Sequence, residues 1–185
     1  PYVAERSLRQ AKNMLEMAGL TIAELVYVDD IATNYVLAEF YGNTEITPES
    51  RMMVEMGSGI TLRVGLAGGA GVTGVPRLIG RSLPDAQSKI WESGLNVGKI
   101  EYDEGITMLN RNDARVCSQS LPAGGRTAYG SKVALVLTLD AEKVATAEAE
   151  SSRRAQQLLD EQASVDSVAD TEAAQQRAVQ EGQAM

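Results

Sequence analysis

Histidine is absent from the 185 residues, and cysteine, tryptophan and phenylalanine each occur once. Without histidine the chain has no side chain that ordinarily titrates near neutral pH, which excludes Ser–His and Cys–His catalysis and an imidazole general base. A lone cysteine excludes an intrachain disulfide. Cys117 reads as a small apolar strand residue, because free cysteine is commonly buried. Any metal would have to be held by carboxylates alone. Acidic pairs stand at Asp29-Asp30 and Asp103-Glu104, but their spacing matches no calcium loop and they read as solvated loop residues. No metal, no cofactor and no catalytic residue is expected. No apolar run of about 18 residues occurs, so nothing here has the length of a membrane-spanning helix. The chain opens at Pro1 without a Met or a signal-like stretch, and reads as a piece of a longer protein.

Aromatic residues make up 4 % of the sequence against 44 % hydrophobic residues in all, so any core rests on Leu, Ile, Val, Met and Ala. The formal charge of −8 is unevenly spread. Residues 1–67 carry 5 basic and 9 acidic groups, residues 68–139 carry 8 and 6, and residues 140–185 carry 4 and 10. The acidity is chiefly a property of the tail. Nothing resembles a basic nucleic-acid footprint, and no nucleic-acid partner is expected.

What is present is a repeat of about 75 residues. Placing Pro1 on Pro76 brings Arg6-Ser7-Leu8 onto Arg81-Ser82-Leu83, Ala11 onto Ala86, Leu15 onto Ile90, Gly19-Leu20 onto Gly94-Leu95 and Tyr27 onto Tyr102. After loops of different length the copies return to register, with Gly57-Ser58-Gly59-Ile60-Thr61-Leu62 on Gly130-Ser131-Lys132-Val133-Ala134-Leu135.

Each copy has one helix signal. Ser7 and Ser82 precede apolar residues at helical spacing and can accept a hydrogen bond from the first turn. Pro84 falls in that turn, where its missing donor does no harm. Gly19 and Gly94 sit where a left-handed C-cap needs no Cβ. The spacing predicts helices over 7–18 and 82–93. Strands are expected over 22–27 and 97–102, then 35–41 and 114–120, then 60–64 and 133–139, the last alternating or continuously apolar behind Gly-Ser turns. The fold class is therefore α+β: two tandem small domains, each a helix packed on a three-stranded antiparallel sheet.

Residues 67–74 hold four glycines in the seven positions 68–74 and read as a flexible linker; a phosphate-binding loop there would want a lysine and a following helix. From residue 140 onward Ala, Glu, Gln, Asp and Ser dominate, with too few apolar residues for a core. A fluctuating helix or disordered tail is expected, and the heptad pattern is poor for a coiled coil. The domain plan is 1–66, a linker at 67–74, 75–139, and an acidic tail at 140–185.

Val75-Pro76, Gly80, Ser82-Leu83, Ala86, Gly94-Leu95, Val116, Gln119-Ser120, Pro122, Gly124, Gly130-Ser131, Val133 and Leu135, in that order, give residues 75–139 a resemblance to the PASTA domain. This repeat is found outside the membrane in bacterial serine/threonine kinases and some penicillin-binding proteins. Residues 1–66 match in the helix and last strand, but Phe40-Tyr41-Gly42 stands in place of the family's Gln-Ser-Pro stretch and Asn43–Arg51 is long. The resemblance implies a short helix on a three-stranded sheet, and extracytoplasmic display in the periplasm or at the cell surface. Anchoring would come from an N-terminal transmembrane helix outside this sequence. It implies a module without catalytic residues that binds peptidoglycan fragments or β-lactams, or that acts as a spacer or holds a cell-wall or division protein.

For a ligand carrying free carboxylates, arginine is the natural grip, through two parallel hydrogen bonds. Arg111 and Arg115 flank the start of the second strand of the second copy and Arg126 precedes its third, while Tyr129 offers a flat face to a sugar ring. These four are the candidate ligand-binding residues. The alternative is that the arginines are solubilising surface groups and that Trp91, Tyr27 and Tyr102 serve packing.

Overall fold

The computed structural model describes residues 1–182, with side chains described through residue 165. Helix α1 spans Leu8–Met17 and α2 spans Leu83–Glu92. The serines cap them as their sequence position requires. Ser7 Oγ accepts from Gln10 N–H at 3.3 Å while Gln10 Oε1 accepts from Ser7 N–H at 3.3 Å, a complete capping box. Ser82 Oγ accepts from Asp85 N–H at 3.4 Å. Gly19 and Gly94 both hold φ near +71° just beyond the helix ends. Leu8, Ala11 and Leu15 face one core, and Ala86 and Ile90 the other.

The strands are β1 Thr21–Asp30, β2 Val36–Tyr41, β3 Thr44–Ile46, β4 Gly59–Ala67, β5 Val72–Gly74, β6 Asn96–Tyr102, β7 Arg115–Gln119, β8 Arg126–Ala128 and β9 Lys132–Thr138. Here the expectation of an antiparallel sheet fails. The first sheet runs β1-β4-β2-β3 and the second β6-β9-β7, and both are mixed, with β1 and β4 parallel and β6 and β9 parallel. Two physical facts account for it. The segments 31–35 and 103–114 are too long for two-residue hairpins, so the first two strands of each copy need not pair. The closing strand of each copy is also the most continuously apolar, with Ile60, Leu62, Val64 and Leu66 buried in β4 and Val133, Leu135 and Leu137 in β9. Such a strand belongs in the middle of its sheet, flanked on both sides.

The glycine-rich segment is shorter than expected. β4 extends through Ala67, and β5 forms an antiparallel ribbon with β8, which leaves Gly68–Gly71 as the connection. The two units are not independent on either side of it. Asn96, the first residue of β6, is buried and bonds across to β1: its Oδ1 accepts from Leu25 N–H at 2.7 Å, and its Nδ2 donates to Leu25 O at 3.0 Å and to Gly130 O at 2.9 Å. Lys12 is buried between the helices, with its ammonium 2.7 Å from Ser88 Oγ, 3.2 Å from Glu92 and 3.3 Å from Glu16. The Tyr27 and Tyr129 rings meet at 5.2 Å between centroids. Trp91, on α2, is buried in the core of the first unit.

In the tail the helical of the two expected states is the one present. It forms a helix, α3, over Ala141–Gly182. Asp140 caps it, with Oδ1 accepting from Glu142 N–H at 2.9 Å and Lys143 N–H at 3.2 Å. Lys143 Nζ lies 2.6 Å from Asp103 Oδ2, and Ala147 packs against the second core. A cap, an ion pair, a hydrogen bond from Arg77 Nη2 to Glu148 O at 3.5 Å and one alanine anchor its first turns. None of these registers when apolar residues are counted along a sequence, which is why the sequence leaves a fluctuating helix and disorder side by side. No described helix is long and apolar enough to cross a membrane.

Candidate functional surface

The sheet geometry separates the residues singled out for ligand binding. Arg115 opens β7 and pairs with Thr138 at the end of β9, while its Nη1 donates to the carbonyls of Asn112, Asp113 and Ala114 at 3.2, 3.0 and 3.0 Å. Arg111 is exposed in the loop just before it, with its N–H bonded to Thr107 O at 3.0 Å. Both belong to the end of the sheet where β9 finishes. Arg126 begins β8, which precedes β9, and pairs with Gly74 at the opposite end. There it borders a shallow groove with Leu158, Glu161 and Val165 of α3. The three arginines therefore do not form one cluster. The reason is the antiparallel run of β7 against β9, which puts the start of β7 and the residues before β9 at opposite ends.

Tyr129 is half-buried at the junction against Tyr27. Its environment is tight. A Cβ added to Gly94 would lie 2.6 Å from Tyr129 Cδ1 and 2.6 Å from Tyr27 Oη. Tyr27 Oη donates to Asn34 Oδ1 at 2.7 Å, and burial pushes its phenol well above the ordinary tyrosine range. Tyr27 and Tyr129 thus pack the joint between units. Trp91 packs as well, but in the neighbouring unit's core rather than its own.

One acid of each acidic pair takes a structural role. Asp30 Oδ1 accepts from Ala32 N–H at 3.1 Å, and Asp103 Oδ2 accepts from Thr138 Oγ1 at 3.0 Å beside Lys143. The Lys143 hydrogen bond, followed by that of Thr138, holds the Asp103 carboxyl below its usual range. Among the described residues no cluster of three metal-ligating side chains occurs. Cys117 lies in β7, half-buried beside α3, with Sγ donating to Val136 O at 3.4 Å; burial raises its thiol pKa. That is the environment of an unreactive thiol.

Two surface features escape a reading of the sequence alone. The first is on the open face of the first sheet, where the Arg63 guanidinium stacks 4.9 Å from the centre of the Phe40 ring. With Val26 and Thr61 it borders a shallow depression of about 310 Å³. Only the β2–β4 register, Phe40 opposite Thr61, brings these residues together; outward-facing positions on alternating strands are the signal that could have shown it. The second is a groove of about 380 Å³ between α3 and β7, lined by Ser118, Gln119, Pro122, Glu150 and Arg154. Both are open and shallow.

A capped helix on a mixed sheet, four-stranded in the first unit and three-stranded in the second, with the closing strand flanked on both sides in each, defines a small α+β repeat module. Residues 73–138 match the PASTA domain family. Among solved structures, the chain is similar to the three-PASTA-domain of a Ser/Thr kinase from Staphylococcus aureus, at 16 % identity and a TM-score of 0.29, over 75 % of this chain and 65 % of that one. It is also similar to the entire extracellular region of the Ser/Thr kinase PrkC from Staphylococcus aureus, at 16 % identity and a TM-score of 0.29, over 75 % of this chain and 46 % of that one. No curated protein matches the chain.

Proposed function

We propose that the chain is a non-catalytic, extracytoplasmic module that recognises peptidoglycan fragments weakly and at several points. The PASTA domain at residues 73–138 carries this reading, since such domains are associated with peptidoglycan. The surface suits weak contact: its depressions are open, and its cationic groups are spread rather than gathered. Arg111 stands at one end of the second unit, Arg126 at the other, and Arg63 over Phe40 on the first. Each could grip one carboxylate of a muropeptide. Two units held at a fixed spacing then raise the effective concentration along a polymer. The protein would sit outside the cytoplasmic membrane, anchored by a segment beyond this sequence.

The test is a two-dimensional amide NMR titration of the whole chain with soluble muropeptides. Shifts gathered around Arg111 and Arg115, around Arg126, or around Phe40 and Arg63 support wall recognition and locate it. No shift at millimolar ligand overturns it.

A second reading, a spacer or protein-docking module without a small ligand, is favoured by the buried joint of Lys12, Trp91 and Asn96, which stiffens the pair. Retention of a cell-wall or division protein from envelope extracts, with no retention on purified sacculi, would support it over the first.

A further inference from the structure

Glu39 and Gln119 occupy the same position in the two repeats. Glu39 pairs with Leu62 across β2 and β4, and Gln119 pairs with Leu135 across β7 and β9. Leu62 and Leu135 hold matching places in the two closing strands. The register of the sheets thus sets Glu39, not Phe40, on Gln119 of the second copy. Both side chains reach the segment that enters their unit. Glu39 Oε2 accepts from Val3 N–H at 2.8 Å, and Gln119 Oε1 accepts from Leu78 N–H at 2.9 Å.

The other half of each side chain differs. Gln119 Nε2 donates to Pro76 O at 3.1 Å and to Leu121 O at 2.7 Å, so the amide is fully used. Glu39 Oε1 is buried without a hydrogen-bond partner, and the whole residue is only 1 % exposed. The positions matching Pro76 and Leu121 are Pro1 and Tyr41. An ionised carboxylate has only acceptors to offer a site where the repeat turns carbonyl oxygens inward. A protonated one has a donor.

We infer that the Glu39 carboxyl is protonated in the folded protein and donates from Oε1 to the backbone carbonyl of Pro1 or Tyr41, as the Gln119 amide does in the second repeat, so that the first repeat tightens in acid and loosens as Glu39 ionises. The surroundings agree. α1 presents Leu15 to this site, β3 presents Ile46, and β4 presents Ile60 and Leu62, none of them charged. The titratable and charged neighbours are the amino group of Pro1 and the phenol of Tyr2 on the entering segment, and Arg51 at the rim of the adjoining cavity of about 200 Å³. Burial raises the Glu39 carboxyl, and this outweighs the Val3 hydrogen bond and the Pro1 amino group, which lower it.

A carboxyl whose pKa is higher folded than unfolded binds more protons in the folded state. Its stabilising effect is complete below the unfolded value for glutamate, about 4.3, and is lost as pH climbs through the folded value. The segment released first is Pro1–Val3, which Glu39 holds.

The experiment is urea unfolding of the whole chain across about pH 4 to about pH 8, comparing wild type with Glu39→Gln, in which all other titrations cancel. The ratio of unfolding constants, wild type over variant, should rise with pH by up to about tenfold per unit until Glu39 has titrated. The reciprocal Gln119→Glu variant should acquire the same rise in the second repeat. The Glu39 Cδ resonance in the wild type should titrate above the ordinary glutamate range, a reading that stands even where a variant does not fold. A ratio flat with pH, or a Cδ resonance that titrates in the ordinary range, overturns the inference.

Discussion

Asn96 presents its carboxamide to both the N–H and the C=O of Leu25, as a neighbouring strand would, and so ties β1 to the second unit through one side chain. Asn96→Ala leaves two backbone groups of β1 and the Gly130 carbonyl short of a partner. The expected loss is about 2–4 kcal/mol in urea unfolding, because buried orphaned polar groups cost more than the net value of the bonds they made. Lys12 is a second single-residue lesson. Lys12→Met takes a cation from between Glu16 and Glu92, both of which remain partly exposed. Solvent screening limits the cost to about 1–2 kcal/mol. Glu92 is held below its ordinary range, first by the Lys89 hydrogen bond and then, against burial, by Lys12. Its contribution is present above the unfolded glutamate value and is lost as pH falls through the folded one, the opposite sense to Glu39. A wild-type stability profile that declines on both sides of mildly acidic pH is the expected sum, read from urea midpoints at each pH.

Elements differ in how far their own residues announce them. Both helices are legible to within a residue, because Ser7, Ser82, Gly19 and Gly94 act through neighbours three or four positions away. Six strands are legible as strands, while the three-residue β3, β5 and β8 are not, and the order of the six is hidden too, since the position of β4 and β9 depends on what can flank an apolar strand rather than on any local signal. Gly19 and Gly94 look alike in the sequence and share a φ, yet their surroundings differ. An alanine at 94 meets the Tyr129 ring and the Tyr27 hydroxyl, whereas one at 19 meets the flexible end of Met56. Gly94→Ala should therefore destabilise by about 1–2 kcal/mol more than Gly19→Ala, backbone strain being common to both. For α3 the anchors are few. A chain ending after Asp140 should keep both sheets, lose about 1–2 kcal/mol from uncovering the second core beside Ala147, and expose Cys117 to faster modification by a thiol reagent. Unchanged thiol reactivity would show that α3 does not shield β7.

At the scale of the molecule, the two units are legible as copies, but their union is not. Residues that meet across the joint, such as Lys12 with Ser88 and Leu25 with Asn96, lie over seventy positions apart, and no pattern within one copy betrays them. The same limit hides the dispersal of Arg111, Arg115 and Arg126, which a string of residues cannot separate and a strand direction does. Because Trp91 belongs to the first core while sitting on a helix of the second unit, the pair should unfold in one transition. Fluorescence from this single tryptophan should follow the far-ultraviolet circular dichroism through the whole urea curve. In Asn96→Ala the two curves should part, with tryptophan changing first.

The placement of the last strand at the centre of each sheet also governs how the protein comes into being. During synthesis, or during passage through a membrane pore, β1 and β2 emerge before β4 exists, and their places in the finished sheet lie about 10 Å apart, two strand spacings, so neither yet has β4, their shared native partner. Each repeat is therefore a lock closed by its final tooth. An interrupted chain can hold a helix and the β2–β3 ribbon of the first repeat, but β1 and β6 stay unpaired, and the chain can still be threaded, until Gly59–Ala67, and later Lys132–Thr138, enter between their neighbours.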